Sequence, residues 1–233
     1  MKLDLQKPVL VIAGNWNPAI FGSGPWVFHH IYGVPEGEEV KVTVVTQSAS
    51  PEIPAPTPTN SITMLNGIGF SADQLRVRFY LNEFEKNLIG RVEEMAIRVV
   101  EVLPHTPVGA FGCNFLFIEE DPEDVVVDRL KINDGIHEKY PIKTQIFKSV
   151  IAYDKNIDLN FTVTINNSGA IIFDFNYHHA DVNAKNLPDK VRGSINRCKD
   201  HALDLIKSLY DIEGFEPVSF QVAVDKQEME AKE

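Results

Sequence analysis

The sequence predicts an α+β fold in which a curved, mainly antiparallel sheet packs on two long amphipathic helices. Residues 88–103 and 187–210 each repeat apolar side chains every three or four positions, which is typical of a helix with one buried side. Other segments alternate apolar and polar residues, as strands with one buried face do. Because each helix must cover its apolar stripe, we expect both helices to pack against the apolar face of the strands.

In the first half, four strands are expected before the long helix and one after it, at residues 9–13, 40–47, 62–65, 74–82 and 109–118. In the fourth of these, the odd-numbered residues from Leu75 to Leu81 are apolar and should face the core. The even-numbered residues from Gln74 to Tyr80 should face solvent. Asn66-Gly67 is typical of a tight turn, and the proline-rich residues 48–60 should form an extended loop.

The second half is expected to begin with a short helix at residues 123–132 and a strand at residues 143–152. Residues 157–165 and 171–177 alternate apolar and polar side chains on either side of a turn-like Asn-Ser-Gly, which predicts a hairpin. The long helix at residues 187–210 follows, with Pro188 in its first turn.

Both halves therefore place strands before one long helix. We expect one domain over residues 1–224, with two similar halves at about residues 1–118 and 119–224 that form a pseudo-repeat of element order. Residues 225–233 are mostly charged and should form a frayed acidic tail.

Composition limits the classes of partner. The chain has 233 residues and a formal net charge of −11, which repels phosphate backbones, so we expect no nucleic-acid partner. It holds no run of about 20 apolar residues, so we expect no membrane partner. The first residues lack the apolar run of a signal peptide, and two cysteines without a framework of spacings fit a reducing cytoplasm.

A charge-free segment at residues 8–35 contains both tryptophans. Two interpretations remain open: a loop folded over the sheet with its rings in the core, or an exposed patch that binds a partner, since interface centres are rich in aromatic residues and poor in charge. In the second interpretation the partner-binding residues are aromatic, namely Trp16, Phe21, Trp26, Phe28 and Tyr32.

A second candidate site is a pocket at the end of the hairpin. On a regular strand His179 and Asp181 would share one face, where they could act as an acid–base pair or ligate a metal with His105 or His201 as the third ligand. Asn15 and Asn17 could contact a ligand there, although asparagines in such positions commonly hold turns. A polar strand end that leads into a loop is the simpler interpretation.

The known catalytic motifs are absent. The sequence has no nucleophile elbow and no glycine-rich phosphate loop, and its histidines and cysteines follow no common metal-ligand spacing. Cys113 and Cys198 both fall at apolar positions and are expected to be buried thiols. We therefore expect no metal and no cofactor, and the sequence does not indicate an enzyme.

Two longer strings are distinctive: GNWNPAIF at residues 14–21, followed shortly by Trp26, and LPHTPVGAFGCN at residues 103–114. They resemble motifs in a family of uncharacterised bacterial proteins of about this length. The resemblance covers the N-terminal half, whereas the second half is similar in the order of its elements. The family has no established activity, so the resemblance implies a bacterial, cytoplasmic origin and no particular chemistry.

Together these observations predict a non-enzymatic protein-binding or assembly protein that binds a protein partner or itself, most simply as a homodimer. The charge-free segment or the sheet edges would supply the contact. The alternative is a small-molecule-binding protein with a hydrolytic or metal site near His105, His179 and Asp181.

Overall fold

The structure is a computed structural model that describes residues 1–46, 61–130 and 142–218. The loop predicted at residues 48–60 and the tail predicted at residues 225–233 lie outside the described residues. Every element named below belongs to the described ranges.

All the described strands join one open sheet, which is mainly antiparallel. The strands are β1 (Lys2–Asp4), β2 (Leu10–Gly14), β3 (Thr43–Thr46), β4 (Ser61–Leu65), β5 (Ile68–Ala72), β6 (Arg76–Leu81), β7 (Val108–Glu119), β8 (Gln145–Asp154), β9 (Ile157–Ile165), β10 (Ile171–His179) and β11 (Glu216–Val218). Their order is β3-β4-β5-β6-β2-β7-β10-β9-β8, and β1 pairs with both β7 and β11. Among these pairs only β1 and β11 run parallel. The predicted α+β class and antiparallel sheet are therefore confirmed.

The described residues form more helices than the two long ones predicted. They are α1 (Pro18–Phe21), α2 (Gly24–Val27), a π-helical turn (Phe28–Tyr32), α3 (Lys86–Val102), α4 (Asp124–Leu130), α5 (Leu187–Val191) and α6 (Ser194–Tyr210). Prolines stand in the first turns of α1, α2 and α5, where a missing N–H costs no helical hydrogen bond. None of the described helices is long and apolar enough to cross a membrane.

Strand β7 lies at the centre of the sheet and supplies much of its apolar face. Its alternate residues Phe111, Cys113, Phe115 and Phe117 are all buried, as the alternation predicts. It pairs with β2 and β1 along one edge and with β10 along the other. Helix α6 contacts β7 and helix α3 contacts β6 on this side of the sheet.

The start of β6 and one of its faces differ from the prediction. Leu75 is 66% exposed because it precedes the strand, in a turn where the Asp73 carboxylate accepts hydrogen bonds from the N–H groups of Leu75 and Arg76. Tyr80, expected to face solvent, is buried with Ile62 and Met64 of β4 in a small second cluster. Both faces of β6 are therefore covered near its C-terminal end.

Strand β5 was not predicted. Asn66 and Gly67 both have positive φ, at 49° and 81°, so they turn the chain directly from β4 into β5. Residues 68–72 are largely apolar and all but the last are buried, so the period-two alternation that marks a half-exposed strand is missing.

The helix predicted at residues 187–210 is broken in two. Gly193 takes a left-handed conformation, with φ of 68°, between α5 and α6. The Glu93 carboxylate, which reaches over from α3, accepts hydrogen bonds from the N–H groups of Gly193 (2.7 Å) and Ile195 (3.1 Å). An acid from another helix thus caps the start of α6, where N–H groups have no partner within the helix.

Replacement of the buried Glu93 should therefore destabilise the whole fold. Glu93→Ala leaves the N–H groups of Gly193 and Ile195 without their acceptor, and we expect the free energy of unfolding to fall by about 1–3 kcal/mol. Urea denaturation followed by circular dichroism measures this loss. Glu94→Ala, at the exposed neighbouring position of the same helix, is the matched control and should change stability little. Equal losses in the two variants would contradict the capping role.

Candidate functional site

The charge-free segment lies over the first half of the sheet, and its rings are buried to different degrees. Trp16 is only 2% exposed and Tyr32 is also buried, whereas Phe21, Trp26 and Phe28 are half-buried. The interpretation of all five residues as one exposed partner-binding patch is therefore wrong for Trp16 and Tyr32, which belong to the core.

Hydrogen bonds and ring contacts explain this burial. The backbone N–H of Trp16 donates to the carbonyl of Gln74 at 2.8 Å, and the Tyr32 hydroxyl donates to the carbonyl of Thr63 at 2.7 Å. Phe21 bridges the segment to the sheet, with ring centroids 6.0 Å from Trp16 and 5.6 Å from Phe70. Burial raises the pKa of the Tyr32 hydroxyl well above its usual range.

The two distinctive strings meet in space. Gly14 pairs with Val108, and the N–H of Asn15 donates to the carbonyl of Pro107 at 2.9 Å. A Cβ at Gly14 would lie 2.7 Å from that same carbonyl oxygen, so the close approach requires glycine. The Asn17 side chain accepts from the N–H of Ala19 and caps α1. The contacts of Asn15 and Asn17 are thus those of turn and cap residues.

The predicted pocket does not form from the residues proposed for it. Strand β10 ends at His179, and Asp181 lies beyond it, exposed and with φ of 54°, so the expectation that the two share a strand face is wrong. His105 is exposed in the turn after α3. The cavity that His179 lines, about 230 Å³, is bordered by Lys155, Lys190 and other residues, and not by His105 or Asp181.

His179 instead points into the core, where it is 4% exposed and stacks on Phe111 with ring centroids 4.0 Å apart. Its Nε2 lies 3.7 Å from Cys198 Sγ, and a ligand atom of Cys113 lies within 4.8 Å of both. Burial raises the pKa of the Cys113 thiol. Sequence reasoning missed this cluster, although residues 171–179 alternate and place His179 on the same face as Tyr177.

The face of the sheet opposite α6 is polar near its centre. Asn114, Asn176 and Asn160 lie side by side on β7, β10 and β9, and their side chains are joined by hydrogen bonds across the three strands. A row of hydrogen-bonded asparagines is compatible with exposure to water, so this face of the sheet does not require a second layer of helices.

Exposed apolar side chains occur instead on β8, at the end of the sheet. Ile146 and Val150 are 63% and 65% exposed opposite Thr164 and Asn160, and Ile151 is exposed on the other face, opposite the buried Leu159. Strand β8 is ten residues long, and within residues 1–46, 61–130 and 142–218 it pairs on one side only, with β9. The sequence predicts this strand but does not indicate which strand forms the edge of the sheet.

No protein-family model, curated protein or solved structure matches this chain. The arrangement of the described residues therefore carries the functional interpretation.

The two tryptophans should differ in what they contribute to stability. Trp16→Ala removes a fully buried ring and is expected to lower the free energy of unfolding by about 3–5 kcal/mol. Trp26→Ala, at a half-buried position in the same segment, is the matched control and should cost clearly less. Urea denaturation measures both values, and a larger loss in Trp26→Ala would contradict the burial described above.

Proposed function

We propose that this chain is a non-enzymatic assembly protein that forms a homodimer when the β8 strands of two copies pair antiparallel. The observation that carries the proposal is a ten-residue edge strand with exposed apolar side chains on both faces. An edge strand presents unpaired N–H and C=O groups, and natural proteins usually protect long ones. Strand β8 contains no proline, and Lys148 is the only charged residue between Gln145 and Tyr153.

Self-pairing is favoured by the charges on β8. Lys148 stands near its middle and Asp154 at its C-terminal end. Two identical strands related by a two-fold axis run antiparallel, so each copy contributes one Lys148 and one Asp154 to the same contact and the charges of the contact balance. The net charge of −11 opposes association in general, so an edge with balanced charge is the better place for it. Among the described strands, the other edges are formed by β3, with four residues, and β11, with three.

The proposed dimer is tested by size-exclusion chromatography with light scattering. We expect the unmodified chain to have about twice its monomer mass of 26.2 kDa at micromolar concentration. Val150→Lys and Ile146→Lys should shift it to the monomer mass, because both place a charge in the contact. Leu75→Lys changes an equally exposed apolar residue away from β8 and should leave the dimer intact.

A strictly monomeric unmodified chain would remove the proposal. A dimer that survives Val150→Lys but is broken by Trp26→Ala would move the contact to the half-buried rings of the charge-free segment, and would contradict the role of β8.

We also propose that the chain belongs with the uncharacterised bacterial, cytoplasmic proteins that its two distinctive strings resemble. The hydrogen bond between Asn15 and Pro107 supports this grouping, because it makes the two strings one structural unit. A pseudo-repeat with two long helices as the main cover of the sheet is supported by the element order, since α3 and α6 each have 17 residues and each follows a set of antiparallel strands.

A further inference from the structure

We propose that Cys113, His179 and Cys198 bind one zinc-type metal ion inside the core, a site independent of the proposed dimer contact. The three residues come from three elements: Cys113 from β7, His179 from the end of β10, and Cys198 from α6. All three side chains are buried.

The distances are those of a small tetrahedral site. Zinc bonds of about 2.3 Å to sulfur and about 2.0–2.1 Å to nitrogen place a sulfur and a nitrogen ligand about 3.6 Å apart. Cys198 Sγ and His179 Nε2 are 3.7 Å apart, and all three ligand atoms lie within 4.8 Å of one another. Adjustments of less than about an ångström would therefore complete the coordination of these three atoms.

A candidate for the fourth ligand, a serine oxygen, lies beside Cys113. Ser194, in the first turn of α6, is fully buried, and its Oγ lies 3.6 Å from Cys113 Sγ. That separation suits a sulfur and an oxygen ligand of the same tetrahedral ion. Either this hydroxyl or a water that it binds would fill the fourth position.

The chemistry of the donor set selects the metal. Two thiolates and an imidazole are the ligands that zinc prefers, whereas magnesium and calcium prefer oxygen. Two thiolates also neutralise the charge of a divalent ion, so the occupied site adds no net charge to the apolar core. Without an ion, the His179 Nε2 faces a thiol at 3.7 Å, and thiols are weak hydrogen-bonding partners.

A cavity lies beside the cluster. The cavity of about 230 Å³ between the end of β10 and α6 is lined by His179 itself, together with Lys190 and Arg197. An ion could reach His179 from there before the thiols complete the site. Once bound, it would tie β7, β10 and α6 together, so binding should raise the stability of the fold.

Cobalt(II) titration of the reduced full-length chain, prepared without a histidine tag and treated with a chelator, tests the proposal. We expect the visible absorption bands of tetrahedral cobalt bound to thiolate, saturation at one ion per chain, and loss of the bands when zinc is added. Zinc should also raise the Tm of the unmodified chain.

Cys198→Ser and His179→Gln should each weaken cobalt binding by more than about 100-fold. Loss of a residue that only contacts a metal ligand costs up to about 100-fold, and loss of a direct ligand should cost more. His178→Gln is the matched control, since His178 is the exposed neighbour on the opposite face of β10 and should leave binding unchanged. A cobalt spectrum without thiolate bands in the unmodified chain would overturn the proposal. So would a mass lower by two hydrogens in the purified chain before reduction, because a disulfide between Cys113 and Cys198 would then occupy the sulfurs.

Discussion

The burial of one apolar face of an open sheet is the constraint on which the rest of the structure depends. Each large side chain on that face contributes about 1.5–3 kcal/mol when it leaves water, and buried residues alternate from Phe111 to Phe117 in β7 and along β10. Helix α3 contacts β6 and helix α6 contacts β7 on this face. The Glu93 carboxylate joins the two helices, so the cover behaves as one layer and not as two separate helices.

The same cover explains both candidate sites. Beneath α6 the helical cover excludes water from the end of β10. His179 lies there close to Cys113 and Cys198, and all three side chains are buried. At β8 the helices no longer cover the apolar face, and Ile151, which pairs opposite the buried Leu159, is exposed. A metal site within the core and a contact surface at the edge are thus two results of where the helical layer lies.

Local pattern predicted much of this fold. The alternation of residues 157–165 and 171–177 identified the hairpin, and the spacing of residues 88–103 identified α3, because each pattern arises within one element. The break at Gly193 could not be predicted in this way, since the carboxylate that stabilises it comes from Glu93 on another helix. The cluster of Cys113, His179 and Cys198 depends on strand register and helix position, which spacing along the chain does not encode.

The position of β7 between β2 and β10 affects how the chain folds as it is synthesised. Domains emerge from the ribosome with the N-terminus first, so β7 can pair with β2 while β10 has not yet been made. During that interval a twelve-residue strand has one bare edge, and its phenylalanines lack the α6 that later covers them. The nascent chain is consequently most exposed to misassociation before its last third appears, when β10 covers the bare edge and α6 then covers the phenylalanines.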